Sequence, residues 1–252
     1  MSVEERHKIL LQILQNKKNV TIHELKSSLE VSEPTIRNDL RFLESQGKLQ
    51  RTHGGAIPSV RQDEIPYSER SGVRYNEKER IGKAAAEWIN PGETVFLDAG
   101  STIMALAKQL PDNLAFNAVT AALHIAMEAD KRRDVFVHLI GGMLQSSLQE
   151  VVGPKAVQSI KEIRAHKVFL SISGLDLHTG ATENHVLSAE VKKAMVEASE
   201  QVIVLADSDK MGKVCFADII PLERIDTLIT DEGLKPEYRQ ALAAKGVRVV
   251  IA

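Results

Sequence analysis

Apolar positions recur at helical spacing in the first 58 residues. Residues 3–16 predict one helix whose inward face carries Ile9, Leu10, Ile13 and Leu14. Thr21 and Glu24 have the spacing of a capping box, which predicts a second helix with Ile22, Leu25 and Leu29 inward. Two short amphipathic helices therefore open the chain.

A third helix follows a tight turn at Val31 and Ser32. Ser32 suits its N-cap, Pro34 its first turn, and Gly47 its end. Ile36, Leu40 and Leu43 fall on one side, and the other side carries Pro34, Thr35, Arg37, Asn38, Arg41 and Ser45. A tight turn before such a helix is typical of a helix-turn-helix, whose last helix enters the major groove of DNA.

Residues 48–56 alternate like a strand and turn at Gly54 and Gly55. Paired strands here would form a wing, placing Lys48, Arg51 and His53 near the DNA backbone or minor groove. A solvated face on a small bundle is the alternative, but the succession of caps, turn, polar helix and basic hairpin favours DNA binding. The predicted winged helix-turn-helix spans residues 1–58.

A different pattern follows the Pro-containing, charge-balanced residues 59–76, which are interpreted as a linker. From 77 to 252, helical segments separate most of a series of short apolar runs at 94–98, 114–119, 134–140, 167–173, 201–206, 226–230 and 247–252. This alternation predicts an α/β domain with a mainly parallel sheet covered on both faces.

Polar residues stand where these runs end, which is where parallel sheets bind ligands. Gly100, Ser101 and Thr102 open a helix directly after Asp98, and a helix N-terminus with free N–H groups suits an anion. The other candidates are Thr120, Gly141, Gly142, Gly174, Asp176, Glu183, Asp207 and Lys210. Turn chemistry at the glycines and a solvated amine at Lys210 are the alternatives, but so many polar strand ends favour one shared site.

The helix predicted at residues 188–200 carries Glu190, Lys192 and Lys193. A charged helix face is usually solvated, and that is the interpretation here, with one of the lysines as a possible contributor to the site. The histidines lack partners at metal-ligand spacing, so no metal site is expected.

The composition indicates an uneven charge distribution and a cellular compartment. The chain of 252 residues has a net charge of −2, but residues 1–58 hold nine Lys and Arg against seven Asp and Glu. A slightly basic head on an acidic body hints at a polyanionic partner for the head. The single cysteine, Cys215, excludes an intrachain disulfide, and no apolar run is long enough to span a membrane. We therefore expect a cytoplasmic protein without a membrane partner.

The stretch SEPTIRNDLRFLESQGKLQRTHGGA closely resembles the DeoR family of bacterial transcription regulators, whose hallmark is T-I-R-x-D-L followed by R-x-H-G-G-A. Asn38 stands where a second basic residue is common. The family patterns S-G-I-D and D-S-S-K-x-G appear at 173–176 and 207–212, with Leu175 and Asp209 as departures.

The resemblance implies a sensor domain similar in fold to ribose-5-phosphate isomerase. It also implies a phosphorylated sugar as effector, with the phosphate on Gly100, Ser101 and Thr102 and with Asp98 on the preceding strand. It implies no other cofactor, a homo-oligomer (dimer or tetramer), and an operator-bound, nucleoid-associated repressor of a sugar-metabolism operon. The competing hypothesis is a sugar-phosphate isomerase with Glu183 or Asp176 as base, but an isomerase does not need a winged helix.

Overall fold

The computed structural model describes residues 3–17, 20–29, 31–45, 49–52, 54–58 and 72–252. The chain divides into two compact units, residues 1–64 and 65–252. The predictions made for Gly47, Lys48, His53 and residues 59–71 lie outside the described residues.

The N-terminal unit is a winged helix-turn-helix, as predicted. In chain order its elements are α1 (Val3–Lys17), β1 (Val20–Thr21), α2 (Ile22–Leu29), α3 (Glu33–Ser45), β2 (Leu49–Thr52) and β3 (Gly55–Pro58). The strands form one antiparallel sheet in the order β1-β3-β2. The expected capping box is present, because the Thr21 N–H donates to Glu24 Oε2 at 2.8 Å and the Glu24 N–H to Thr21 Oγ1 at 3.2 Å.

The core of this unit follows the apolar pattern with one exception. The side chains expected inward on α2 and α3 are buried, but Ile9 on α1 is 38% exposed. The prediction for Ile9 was wrong because the buried face of α1 is centred between Leu10 and Leu14. At about 100° per residue, Ile9 lies roughly 120° from that centre.

The C-terminal unit alternates strands and helices. In chain order it contains α4 (Tyr75–Ala86), β4 (Thr94–Leu97), α5 (Ser101–Lys108), β5 (Phe116–Thr120), α6 (Leu123–Ala129), β6 (Val135–Leu139), β7 (Met143–Gln145), β8 (Glu150–Val152), α7 (Pro154–Lys161), β9 (Ala165–Ser171), β10 (Gly174–Asp176), β11 (Gly180–Glu183), α8 (Val186–Glu197), β12 (Ser199–Leu205), β13 (Ala217–Ile220), β14 (Thr227–Thr230), α9 (Pro236–Ala244) and β15 (Arg248–Ile251). Helix α4 begins at Tyr75, inside the segment 59–76 interpreted as linker. The sequence did not reveal this start, because the first turn of the helix is polar and shows no apolar periodicity.

Seven strands form one parallel sheet in the order β15-β14-β12-β9-β4-β5-β6. They correspond to the seven apolar runs, so the predicted α/β class is confirmed. Alternate residues of the central strands enter separate cores, with Phe96 and Val168 on one face and Val95 and Phe169 on the other. The carboxyl ends of all seven strands therefore lie along one edge.

Two small antiparallel elements were not predicted. One is the β7–β8 hairpin, and the other is a sheet in the order β10-β11-β13. They follow strands β6, β9 and β12 in the chain, and they therefore extend from the carboxyl edge of the large sheet. Among the described residues no helix is long and apolar enough to cross a membrane.

Candidate DNA-binding face and effector site

Helix α3 presents a polar face to solvent. Ser32, Pro34, Arg37, Asn38 and Arg41 are exposed, and Thr35 is half-buried. Ser32 Oγ accepts a long hydrogen bond from the Thr35 N–H at 3.4 Å and lies 2.8 Å from Thr35 Oγ1, which fits its predicted role as N-cap. The face has the donors and acceptors that base edges and phosphates require.

Two arginines of the predicted DNA surface form ion pairs with neighbouring carboxylates. Arg37 donates to Glu33 Oε1 through Nε at 2.9 Å and Nη2 at 2.7 Å. On the wing, Arg51 Nε donates to Glu44 Oε2 at 2.6 Å. All four side chains are at least one-third exposed, so these ion pairs are solvent-screened and a phosphate can replace the carboxylate.

A partly buried ion pair holds α3 against α1. Arg6 on α1 donates to both carboxylate oxygens of Asp39, at 2.6 and 3.0 Å, and His7 Nε2 lies 3.0 Å from Asp39 Oδ1. Burial would raise the pKa of Asp39, but the bonds from Arg6 and His7 outweigh it and lower the pKa. Sequence reasoning missed this pair, although the helical spacing places Asp39 near the core-facing side of α3, beside Leu40 and Leu43.

The turn of the wing packs directly on the start of α2. The Gly54 carbonyl accepts from the Ile22 N–H at 2.8 Å. A Cβ atom at Gly55 would come within 2.0 Å of the Val20 carbonyl oxygen, so glycine is required there by the approach of β3 to β1. The wing therefore has a fixed position relative to α2.

In the C-terminal unit, α5 starts at the carboxyl end of β4 without a side-chain cap. Gly100 precedes it with φ +141°, and a Cβ atom there would lie 2.7 Å from Ser171 Oγ. Ser101 is half-buried and Thr102 is buried. Only glycine is tolerated at this position, where the chain passes from β4 into α5. The uncapped N–H groups at the start of α5 lie at the carboxyl end of the sheet, and such groups suit an anion.

A buried ion pair lies under this helix start. Lys192 on α8 donates to Asp98 Oδ2, and the same oxygen accepts the Ser171 N–H at 2.8 Å and the Ser171 hydroxyl at 2.9 Å. The Lys192 and Asp98 side chains are 2% and 0% exposed. Burial would lower the pKa of Lys192, but the carboxylates around it, Asp98 first, raise it. Lys192 is therefore buried rather than solvated, whereas Lys193 is exposed, so Lys192 is the lysine of this helix that is placed to contribute to the site.

Two further carboxylates surround Lys192. Glu183 Oε2 lies 3.6 Å from its Nζ, and Glu183 Oε1 accepts the Asn184 N–H at 2.7 Å. Glu150, which sequence reasoning missed, accepts the Ser188 hydroxyl at 2.6 Å and is 2% exposed. Burial raises the pKa of Glu150 to about 7. The residues Asp98, Glu150, Glu183 and Lys192 are named the carboxylate–lysine network below.

Of the other predicted residues, Thr120 lies beside this network. Buried Thr120 accepts the Ala122 N–H at 3.1 Å, and Ala122 forms a bridge with Glu150. Gly174 is buried, and a Cβ atom there would lie 2.4 Å from the Lys213 carbonyl oxygen, so the close approach of the two backbones requires glycine. The exposed pair Gly141 and Gly142 leads into the β7–β8 hairpin.

Other predicted residues are held in turns. Asp176 pairs with Gly180 at the end of the β10–β11 hairpin opposite Glu183, and its Oδ1 accepts the N–H groups of His178 and Thr179 at 2.9 and 3.0 Å. These backbone bonds lower the pKa of Asp176. The structure therefore gives Asp176 a turn-closing position away from the carboxylate–lysine network.

The strand β12 ends in a 3-10 turn at Ser208–Lys210. Buried Asp207 caps it by accepting the Asp209 N–H at 3.2 Å, and Lys210 is half-buried. Arg74, which sequence reasoning also missed, donates to Asp209 and to Asp231 at 2.9 and 3.0 Å. Among the described residues, no group of three or more His, Cys, Asp or Glu could hold a metal ion.

Comparison with known proteins decides the family. Residues 6–61 match the DeoR-like helix-turn-helix domain, and residues 73–232 match the DeoR C-terminal sensor domain. The chain belongs to the DeoR family. This confirms the resemblance inferred from the sequence.

Relatives in the family match this DeoR regulator along almost their whole length. The HTH-type transcriptional regulator YulB of Bacillus subtilis is 36% identical over 99% of this chain and 96% of its own. The repressor GlcR of Bacillus subtilis is 32% identical over 100% and 97%. The glycerol-3-phosphate regulon repressor of Escherichia coli is 30% identical over 92% of each chain. The DeoR protein described here is accordingly a DNA-binding transcription regulator and not an enzyme.

Solved structures give a weaker likeness. Ribose 5-phosphate isomerase from Plasmodium falciparum aligns with 53% of the DeoR regulator and 52% of its own chain, at 13% identity and a TM-score of 0.39. This partial similarity bears on neither substrate nor activity.

Proposed function

We propose that this DeoR regulator represses a sugar-metabolism operon and leaves its operator when a phosphorylated sugar binds the carboxyl edge of the large sheet. The observation that carries the proposal is the start of α5, where Gly100 brings uncapped helix N–H groups beside a half-buried serine hydroxyl. A relative is named a glycerol-3-phosphate regulon repressor, which supports a phosphorylated effector. The regulator acts in the cytoplasm, at its operator.

The phosphate of the effector occupies the N-terminus of α5, on Gly100, Ser101 and Thr102. The ammonium group of Lys210 is its second partner and supplies a positive charge. Asp98 is fully buried. It therefore acts on the ligand by positioning Ser171 and Lys192 rather than by accepting sugar hydroxyls directly. No other cofactor is part of the proposal.

Operator binding uses the exposed face of α3 in the major groove and the wing on the backbone. One small head buries little surface, so the regulator acts as a homo-oligomer that places two heads on repeated half-sites. Light scattering at micromolar concentration should show at least a dimer, and a monomer with and without DNA would contradict this part.

The DNA-binding test uses fluorescence anisotropy with duplexes from upstream of the neighbouring operon. If Arg37 contacts a base edge, Arg37→Ala should cost roughly 1–3 kcal/mol of operator affinity. Affinity of the parent should fall steeply with salt, because phosphate contacts release counterions. If Arg37→Ala, Asn38→Ala and Arg41→Ala all bind like the parent, the recognition face is misassigned.

The effector test is calorimetry with glycerol 3-phosphate, glucose 6-phosphate, fructose 1-phosphate and ribose 5-phosphate. At least one should bind the parent and weaken operator binding, by roughly 5–150-fold for a coupling of typical size. Ser101→Ala and Lys210→Ala should bind it less tightly, while Lys213→Ala, which removes an exposed neighbouring lysine, should not. If all variants bind the phosphorylated compound as tightly as the parent does, the site lies elsewhere. The same conclusion follows if unphosphorylated sugars bind as tightly as their phosphates.

A further inference from the structure

Arg74 stands where the chain enters the sensor unit, one residue before α4, and its guanidinium gathers carboxylates from distant parts of the sequence. Nη1 donates to Asp209 Oδ1 at 2.9 Å, and Nη2 donates to Asp231 Oδ1 at 3.0 Å and to Ser208 Oγ at 3.3 Å. Asp207 lies 3.8 Å from Nε. The Arg74 side chain is about one-quarter exposed, so water screens these bonds only partly.

The backbone of Arg74 is held in an unfavourable conformation. Its φ of 51° and ψ of 44° lie in the left-handed region, and among the described residues Gln149 is the one other non-glycine with positive φ. Such a conformation persists when surrounding contacts determine it. Lys78 on α4 donates to the Val73 carbonyl at 2.6 Å, and with the carboxylates it holds the turn at 72–75.

Two of the carboxylates around Arg74 belong to the loop proposed to meet the effector. Asp207 and Asp209 flank Ser208 and immediately precede Lys210. Asp231, at the end of β14, accepts the Ser208 N–H at 2.6 Å and the Ser208 hydroxyl at 2.9 Å. One ionic cluster thus joins the 3-10 turn after β12 to the residue that directly precedes α4, the first helix of the sensor unit.

We propose that Arg74 is a positioning residue that couples occupancy of the effector site to the segment leading to the DNA-binding unit. The inference rests on the proposed function. A phosphate that engages Lys210 moves the Ser208–Lys210 turn, and Asp209 and Ser208 then withdraw from Arg74. With fewer partners, the strained turn at Arg74 relaxes, and the start of α4 shifts at the point where the chain arrives from the DNA-binding unit.

The test compares operator affinity with and without each of the four phosphorylated compounds used above, in the full-length protein. In Arg74→Gln the ratio of the two affinities should fall to within about twofold of one, from the roughly 5–150-fold of a typical coupled pair. Effector affinity by calorimetry should stay within about threefold of the parent. Arg74→Lys keeps the charge but not the fork of donors, and its ratio should be intermediate.

Arg80→Gln is the matched control, because Arg80 lies on the same helix, is exposed, and donates to the Ala252 carbonyl. Its affinity ratio should equal that of the parent. A second variant, Asp209→Asn, removes the negative charge from one partner of Arg74, and because that side chain is 59% exposed the variant is expected to fold even if Arg74→Gln does not. Its ratio should fall, and amide hydrogen exchange at residues 73–78 should rise without effector.

The outcomes separate the inference from the proposed function. If the parent responds to a phosphorylated compound and both Arg74→Gln and Asp209→Asn respond equally, the assignment of Arg74 is overturned. If no phosphorylated compound binds the parent or changes its operator affinity, the proposed function fails and the inference falls with it.

Discussion

The buried ion pair between Lys192 and Asp98 provides the sharpest test of the sensor fold. Replacing Lys192 with Met keeps most of the side-chain volume but leaves Asp98 without its countercharge. Asp98 has no exposed surface, and the donors that remain on its Oδ2 come from Ser171. Removing one partner of a buried pair costs about 3–5 kcal/mol, because the other charge remains desolvated.

Lys193 is the matched control, since it is the next residue on α8 and is exposed. Lys193→Met should change stability by less than about 0.5 kcal/mol. Urea denaturation followed by fluorescence reports on the sensor unit directly, because the single tryptophan, Trp88, packs against its core. A loss of 3–5 kcal/mol is a large share of the roughly 5–15 kcal/mol that stabilises a typical domain.

A double-mutant cycle identifies the origin of the loss. If Lys192→Met acts by stranding the Asp98 charge, adding Asp98→Asn should cost much less than Asp98→Asn alone, with a coupling of about 0.5–3 kcal/mol. The reasoning is refuted if Lys192→Met is no more destabilising than Lys193→Met. Additive costs in the double variant would likewise show that the two side chains do not stabilise each other.

Two further predictions concern the same edge. Because burial raises the pKa of Glu150 to about 7 from its ordinary 4.5, the folded protein retains a proton that the unfolded chain loses between these values. Stability therefore falls as pH rises through this window, by about 3 kcal/mol, and Glu150→Gln should flatten the profile measured by urea denaturation from pH 5 to 8. Gly100→Ala should lower thermal stability by more than Gly92→Ala, because both glycines have positive φ but only at position 100 would the added Cβ atom clash, at 2.7 Å from Ser171 Oγ. Equal losses would show that the contact with Ser171 is unimportant.

Local signals were enough to predict the winged helix-turn-helix and the seven strands. The capping box at Thr21 involves residues three apart, and the inward face of α3 depends on spacing along one helix. The parallel strands are apolar because both faces are buried, so each run stands out in the sequence. The strands of the β7–β8 hairpin and the β10-β11-β13 sheet are as short as β4 or β14, but polar residues and glycines interrupt them, so they do not stand out as apolar runs.

The carboxylate–lysine network could not be predicted with the same rules, because its members are far apart in the chain. Lys192 and Asp98 are separated by 94 residues, and a lysine beside Glu190 and Lys193 suggests a solvated face. One signal was available. Lys192 lies four residues after Ser188 and three before Met195, and both of these face the core. A lysine on the inward side of an amphipathic helix indicates a buried acidic partner, although not its identity.

The same argument explains why the exposed polar face of α3 was easier to predict than the carboxylate–lysine network. A DNA-binding face must stay exposed, and its charges are therefore arranged along one element, where spacing alone reveals them. An effector site is assembled from several strand ends, and its charges are neutralised by partners that only the fold brings near. Exposed Arg37 with Glu33 on its own helix, and buried Lys192 with Asp98 across the sheet edge, show this difference. Arg37 can exchange the Glu33 carboxylate for a DNA phosphate at little cost, because the pair is exposed. The buried pair of Lys192 and Asp98 cannot exchange partners in this way, and it holds the backbone beside the proposed phosphate site in place.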